Sequence, residues 1–172
     1  MPAKIIDGNR IAKNIIENIK NKVRSMKEKP GLALVMVGNN PASEVYVNFK
    51  EKDSKEAGFY CERYNLGEKT SEMDLLKLIN ELNNNPKIHG VLVQLPLPKH
   101  IDEKLVTDSI LPHKDVDGFT SLNLGNLLSE KTILAPATAR AVIHLIESTG
   151  TRIEGKNAVV IGRSNIVGKP VA

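Results

Sequence analysis

The sequence predicts an α/β fold built on a largely parallel sheet. Residues 32–37 form a continuous apolar run between two glycines, as in a strand buried on both faces. A second such strand is expected at 88–95. Segments with helical apolar spacing lie before, between and after them, and alternation of strand and helix implies βαβ units.

Taken in chain order, Asp7 and Gly8 look like a helix start, and Ile11, Ile15, Ile19 and Val23 then recur every fourth residue. That spacing predicts an amphipathic helix ending before Pro30. After the strand at 32–37, a helix should begin near 41–43 and stop at Gly58, a residue suited to the position just past a helix. Residues 59–64 are strand-like, and 71–82 are helical with Leu75, Leu76, Ile79 and Leu82 on one side. A helix over 102–110 follows the strand at 88–95. The pattern changes near Leu134: a helix is expected over 138–149, with Val142, Leu145 and Ile146 as its stripe, then a strand over 156–161. No internal repeat or low-complexity segment interrupts the order.

Composition narrows the function classes. Hydrophobic residues at 41% and charged residues at 26% are ordinary for a globular protein. Aromatics reach only 3% with no Trp, so the core must come from Ile, Leu, Val and Ala. The net charge of +4 arises from 24 basic and 20 acidic residues that are interspersed, which describes a mixed solvated surface. No basic run is interleaved with aromatics, so a nucleic-acid partner is not expected. Cys61 is the only cysteine, which excludes a disulfide framework and a cysteine-rich metal site. His89, His100, His113 and His144 show no metal-ligand spacing and read as structural or solvated; no metal is expected. The first residues lack a signal-peptide pattern and no apolar run is long enough for a membrane span, so a reducing cytoplasm and no membrane partner are expected.

Four segments carry residue types suited to chemistry. In the first, Tyr46 and Lys50 are four apart and share a helix face. A desolvated pair of this kind handles protons, because burial favours the neutral amine; a solvated Lys with its stem across Tyr has the same spacing. In the second, Gln94 ends a strand just before Leu-Pro-Leu-Pro, at the carboxyl edge where ligands bind in open α/β sheets. A loop cap is the other reading of that glutamine. The third is Lys114-Asp115-Val-Asp117-Gly118-Phe119, either a turn or a carboxylate for a ligand edge with two donors. A calcium loop is excluded, since no glutamate follows at the required distance. The fourth runs from Gly162 through Arg163 and Ser164 to Gly168 and Pro170, between an expected strand and a helix, where a phosphate-binding loop of the Rossmann type would sit. Its spacing is one residue longer than G-x-G-x-x-G, and serine replaces the middle glycine.

Together the stretches Val-Gly-x-x-Pro-Ala-Ser-x-x-Tyr-Val-x-x-Lys, Val-Gln-Leu-Pro-Leu-Pro, Lys-Asp-Val-Asp-Gly-Phe and Gly-Arg-Ser-x-x-Val-Gly-x-Pro closely resemble the bifunctional methylenetetrahydrofolate dehydrogenase/methenyltetrahydrofolate cyclohydrolase family. The resemblance spans essentially all 172 residues. It implies an N-terminal three-layer α/β domain that binds folate over 1–136, followed over 137–172 by the beginning of an NAD(P)-binding Rossmann domain, incomplete in this chain. It implies Lys50 as the catalytic lysine, Tyr46 as the ring that stacks on the folate, and Gln94 as the glutamine that tunes the lysine. Asp117 would grip the pterin edge, while Gly162, Arg163, Ser164, Gly168 and Thr138 would meet the cofactor. The implied reactions are NADP-dependent oxidation of 5,10-methylenetetrahydrofolate and hydrolysis of the product to 10-formyltetrahydrofolate, by a cytoplasmic homodimer. NAD in place of NADP, a single activity, and a fragment that binds folate without catalysis are the alternatives. One departure stands out. The family's usual Pro-Cys-Thr-Pro-x-Gly reads Pro136-Ala137-Thr138-Ala139-Arg140-Ala141 here, which should make the helix start more regular.

Overall fold

A computed structural model describes residues 3–131 and 134–172. The chain forms two compact units, one of Ile15–Val116 and one that joins Met1–Asn14 with Asp117–Ala172.

The larger unit is organised around β1 (Gly31–Val37), after helix α1 (Gly8–Arg24) has brought the chain to it. Asp7 Oδ1 accepts from Arg10 N at 3.0 Å and so serves the first turn of α1. Helix α2 (Pro41–Glu56), β2 (Tyr60–Leu66), α3 (Glu72–Asn84), β3 (Gly90–Val93) and α4 (Glu103–Asp108) follow. The three strands are parallel in the order β2-β1-β3, with Gly31 opposite Tyr60 and Leu32 opposite Gly90. A single parallel bridge from Val91 to Asp115 extends the sheet beyond β3.

The pleat of β1 sorts its side chains between two helical layers. Ala33, Val35 and Val37 pack with Leu75, Ile79 and Leu82 of α3 and Val106 of α4. Leu34 and Met36 point the other way, toward Val47 of α2. The result is helix, sheet, helix, with residues of alternate parity on opposite faces. Burial of each Leu, Ile or Val is worth roughly 1.5–3 kcal/mol, so the layered core is the main source of stability here. Helix α2 stops where expected: Gly58 adopts φ +91°, and its N–H bonds to Lys55 O at 3.0 Å.

The smaller unit carries α5 (Ser121–Leu128), α6 (Ala137–Glu147) and α7 (Gly168–Val171). The segment 156–161, expected to be a strand, is instead exposed and without strand pairing; Val159 and Ile161 are 89% and 98% exposed. A strand exists only when its backbone groups find a ladder, and none of the described residues supplies one to this segment. Helix α5 was not expected from the sequence. Its buried position is held by Asn123 while Leu122 and Leu128 are exposed, so no apolar stripe announced it. It is started by Thr120, whose hydroxyl accepts from Asn123 N at 3.2 Å.

Gly31 begins β1 where no side chain fits. A Cβ there would lie 1.8 Å from Lys87 O, while the Gly31 N–H donates to His89 Nδ1 and its carbonyl accepts from His89 N. Gly31→Ala should destabilise the chain by about 1–3 kcal/mol in urea titration, the scale of an overpacked core. Gly67→Ala, which meets nothing within 4 Å, is the control and should stay close to the unaltered chain. Equal stabilities for the two variants would remove this close approach as the start of β1.

Candidate active site

The site begins with the cap of α2. Asn40 Oδ1 accepts from Ala42 N at 2.9 Å and Ser43 N at 3.2 Å, and Pro41 takes the first helical position, where its missing N–H costs nothing. With Val47 fully buried against the sheet, Tyr46 and Lys50 fall on one flank of the helix. Tyr46 is 63% exposed and leaves its ring open to solvent, whereas Lys50 is half-buried.

Lys50 reaches across to the end of β3. Its Nζ donates to Gln94 Oε1 at 3.1 Å. Gln94 is held at both ends: its backbone N–H donates to Val35 O at 2.8 Å, and its Nε2 donates to Leu95 O at 2.7 Å. The second bond fixes the amide so that oxygen, not nitrogen, faces the lysine. The pair therefore lies at the carboxyl edge of the parallel sheet, supported by the central strand.

Residues around the Asp117 motif are tied down by a lysine whose role sequence reasoning missed. Lys114 is 8% exposed, and its Nζ donates to Leu82 O at 3.1 Å and Asn85 O at 2.9 Å. Those carbonyls lie at the C-terminus of α3, where cations are favoured. Burial pushes the Lys114 ammonium below the usual lysine value. The backbone joins in, since Lys114 O accepts from Val91 N at 2.7 Å. Asp115 behind it is buried, and Asp117 is half-buried. The partner carbonyls of Lys114 lie 32 and 29 residues earlier in the chain, so no local signal betrayed the contact.

In the smaller unit, the 162–168 segment folds back on itself. Ser164 Oγ accepts from Val167 N and Gly168 N, both at 3.2 Å, and Ser164 O accepts from Lys169 N at 3.0 Å. A Cβ on Gly168 would lie 2.5 Å from Gly162 O, so only glycine permits the turn that opens α7. Arg163 is exposed beside it. Thr138 is exposed in the first turn of α6, which begins at Ala137 after Pro136 with no side-chain cap bond. Ala139, one of the departures noted in the sequence, is buried at 3% exposure.

Two tyrosines outside the sequence motifs form a second polar group on β2. The Tyr60 and Tyr64 hydroxyls both donate to Glu62, and this hydrogen bond, with some burial, pushes Tyr64 up to about 12. Cys61 beside them is a free thiol, raised above its usual value mainly by burial. Among the described residues no group of three His, Cys, Asp or Glu side chains is placed to hold a metal, and no helix is long and apolar enough to cross a membrane.

Comparison with known proteins bears on this geometry. Residues 6–117 match the tetrahydrofolate dehydrogenase/cyclohydrolase catalytic domain, and residues 136–172 match the NAD(P)-binding domain of the same family. The chain belongs to the tetrahydrofolate dehydrogenase/cyclohydrolase family. It is 51% identical to the bifunctional protein FolD of Moorella thermoacetica over 175 residues, covering 100% of this chain and 62% of that protein. The crystal structure of the bifunctional FolD enzyme from Campylobacter jejuni superposes with a TM-score of 0.94 at 42% identity, covering 98% of this chain and 61% of that one. The Trypanosoma brucei dehydrogenase–cyclohydrolase, solved with NADP and an inhibitor, gives a TM-score of 0.95 at 35% identity over 100% of this chain and 61% of that one. The chain thus spans about three-fifths of the length of the family members it matches.

Lys114→Ala should cost about 1.5–3 kcal/mol, the usual worth of hydrogen bonds made by a charged group. Lys77→Ala, an exposed lysine on α3, should fall within about 0.5 kcal/mol of the unaltered chain. Denaturant unfolding of both variants checks this. Equal stabilities would show that the α3 terminus is satisfied without Lys114.

Proposed function

We propose that the protein containing this chain oxidises 5,10-methylenetetrahydrofolate to the 5,10-methenyl form with NADP and hydrolyses that product to 10-formyltetrahydrofolate. The observation that carries the reading is the 3.1 Å hydrogen bond from Lys50 Nζ to Gln94 Oε1 at the carboxyl edge of a parallel sheet. Similarity to bifunctional FolD proteins over essentially the whole chain supports it. Residues 1–136 form the folate-binding domain in this reading and 137–172 the beginning of the nucleotide-binding domain, in line with the change of family match between 117 and 136.

Each residue then has a task. The exposed ring of Tyr46 offers a flat face on which the folate stacks and is oriented. Asp117 accepts two hydrogen bonds from the aminopyrimidine edge of the pterin, a charge-assisted contact that selects that ring. NADP, when bound, supplies the hydride acceptor. Gly162, Arg163, Ser164 and Gly168 fit its phosphates, because the loop is compact only with glycine at 168 and carries an exposed arginine cation beside it; Thr138 adds a hydroxyl from the first turn of α6.

Hydride loss leaves an electron-poor methenyl carbon, which water attacks. Lys50 assists that water as base or hydrogen-bond partner, while Gln94 orients Lys50 without adding a charge near the cation. Formation of the C–O bond and opening of the ring at nitrogen give the formyl product. The free thiol of Cys61 suits a reducing cytoplasm. The homodimeric state rests on the family resemblance.

Lys50→Ala should lower the hydrolysis of methenyltetrahydrofolate by about 10²–10⁴-fold, the usual worth of a positioned acid–base group. Circular dichroism on the same sample should match the unaltered protein. Formyl product appearing at the unaltered rate would remove Lys50 from the chemistry.

A further inference from the structure

Helix α2 is gripped on two sides, and only one grip involves the catalytic flank. At about 100° per residue, and with Val47 facing the sheet, Lys50 and Tyr46 lie to one side while Asn48 and Glu51 lie to the other. The sheet order β2-β1-β3 puts a different strand beneath each side. Lys50 meets Gln94 at the end of β3. On the opposite flank, Arg63 of β2 donates through Nη1 to Asn48 Oδ1 at 2.5 Å and to Glu51 Oε2 at 3.2 Å. Its Nε donates to Asn65 Oδ1 at 2.8 Å, so the guanidinium plane is fixed from its own strand.

Packing alone restrains the roll of this helix weakly. Ser43 and Val47 are its only fully buried side chains, and Val47 packs on a small cluster of Leu34, Met36 and Leu92, bordered by Leu32 and Cys61. One small valine against a sheet leaves rotation about the helix axis inexpensive. A planar group fixed from its own strand, with one nitrogen bonded to two residues one turn apart, opposes that rotation directly. Arg63 and Glu51 are shielded, with side chains 17% and 23% exposed, so their pairing is less screened than a surface ion pair. Lys55 also bonds Glu51, at 2.5 Å, but from the solvent side and from within the same helix, where it cannot anchor the helix to the sheet.

We propose that Arg63 is a positioning residue: by pinning the far flank of α2 to β2, it sets the helix roll that holds the Lys50 amine at Gln94. The proposal builds on the assignment of Lys50 to the chemistry, yet the position of Lys50 can be read without turnover. Acylation of Lys50 by acetic anhydride, followed by mass spectrometry with Lys20 as internal reference, reports how long its amine spends away from Gln94. In Arg63→Met, Lys50 should acylate at least about twofold faster than in the unaltered chain, and its pH profile should change. Arg63→Lys keeps a charge without the planar group that Asn65 fixes and should restore the rate in part. Lys55→Met should leave it unchanged.

A purely stabilising Arg63 would lower the melting temperature without altering the Lys50 profile under folded conditions. If Arg63→Met does not fold, Asn48→Ala removes one acceptor at an exposed helix position and should show the same acceleration. An unchanged Lys50 rate in whichever of these variants is folded overturns the proposal. Failure of the Lys50 assignment would appear separately, as unaltered hydrolysis in Lys50→Ala.

Discussion

The parallel pairing of β1 on both of its edges is the constraint on which the rest of the unit depends. Its seven residues pair with β2 throughout and with β3 over Leu32 to Val35, while its side chains feed two helical layers. A strand enclosed in this way has one register only, because a slip by one residue would exchange the α2 and α3 faces. That register decides where β3 ends relative to α2. Gln94 bonds to Val35 O one residue past the last strand residue, and Lys50 reaches it from the helix that leaves β1 after Gly38. The site is thus a consequence of strand alignment, with its two polar partners attached to elements that β1 holds.

Polar groups inside the unit obey the same logic. Lys114 lies in the interior, yet its ammonium meets two carbonyls at the end of α3, each of which also accepts a backbone N–H. That adds a cationic donor at the helix terminus and ties the stretch before Asp117 to the layer beneath it. Arg63 does the corresponding task for α2 from the other edge of the sheet. Desolvation makes such groups costly unless they are fully engaged, so both cations carry positional information as well as stability.

Much of the fold was legible because periodicity and burial coincide. The stripe on α3 is apolar where it is buried, and β1 is apolar on both faces, so each announces itself. Spacing put Tyr46 and Lys50 on one helix face and Gln94 at a strand end but left a solvated lysine and a loop cap open; it was the family motifs that named them together. Arg63 and Lys114 were not legible, since their partners lie 12 to 32 residues away and neither sits in a repeating pattern. Helix α5 was hidden because asparagine fills its buried position. The segment 156–161 has strand-forming side chains, but backbone pairing is a tertiary property, and local composition overstated it.

Native-state hydrogen exchange of the Gln94 amide tests the central claim most directly. Gln94 lies outside the strand proper, where fraying is the ordinary expectation, yet its N–H is bonded to the middle of β1 at 2.8 Å. If β1 holds the site, this amide should exchange in the same slow class as those of Leu34 and Val35, opening only when the sheet opens. Exchange of Gln94 at the rate of an exposed loop amide, with β1 still protected, would contradict the account and leave the Lys50 partner unanchored.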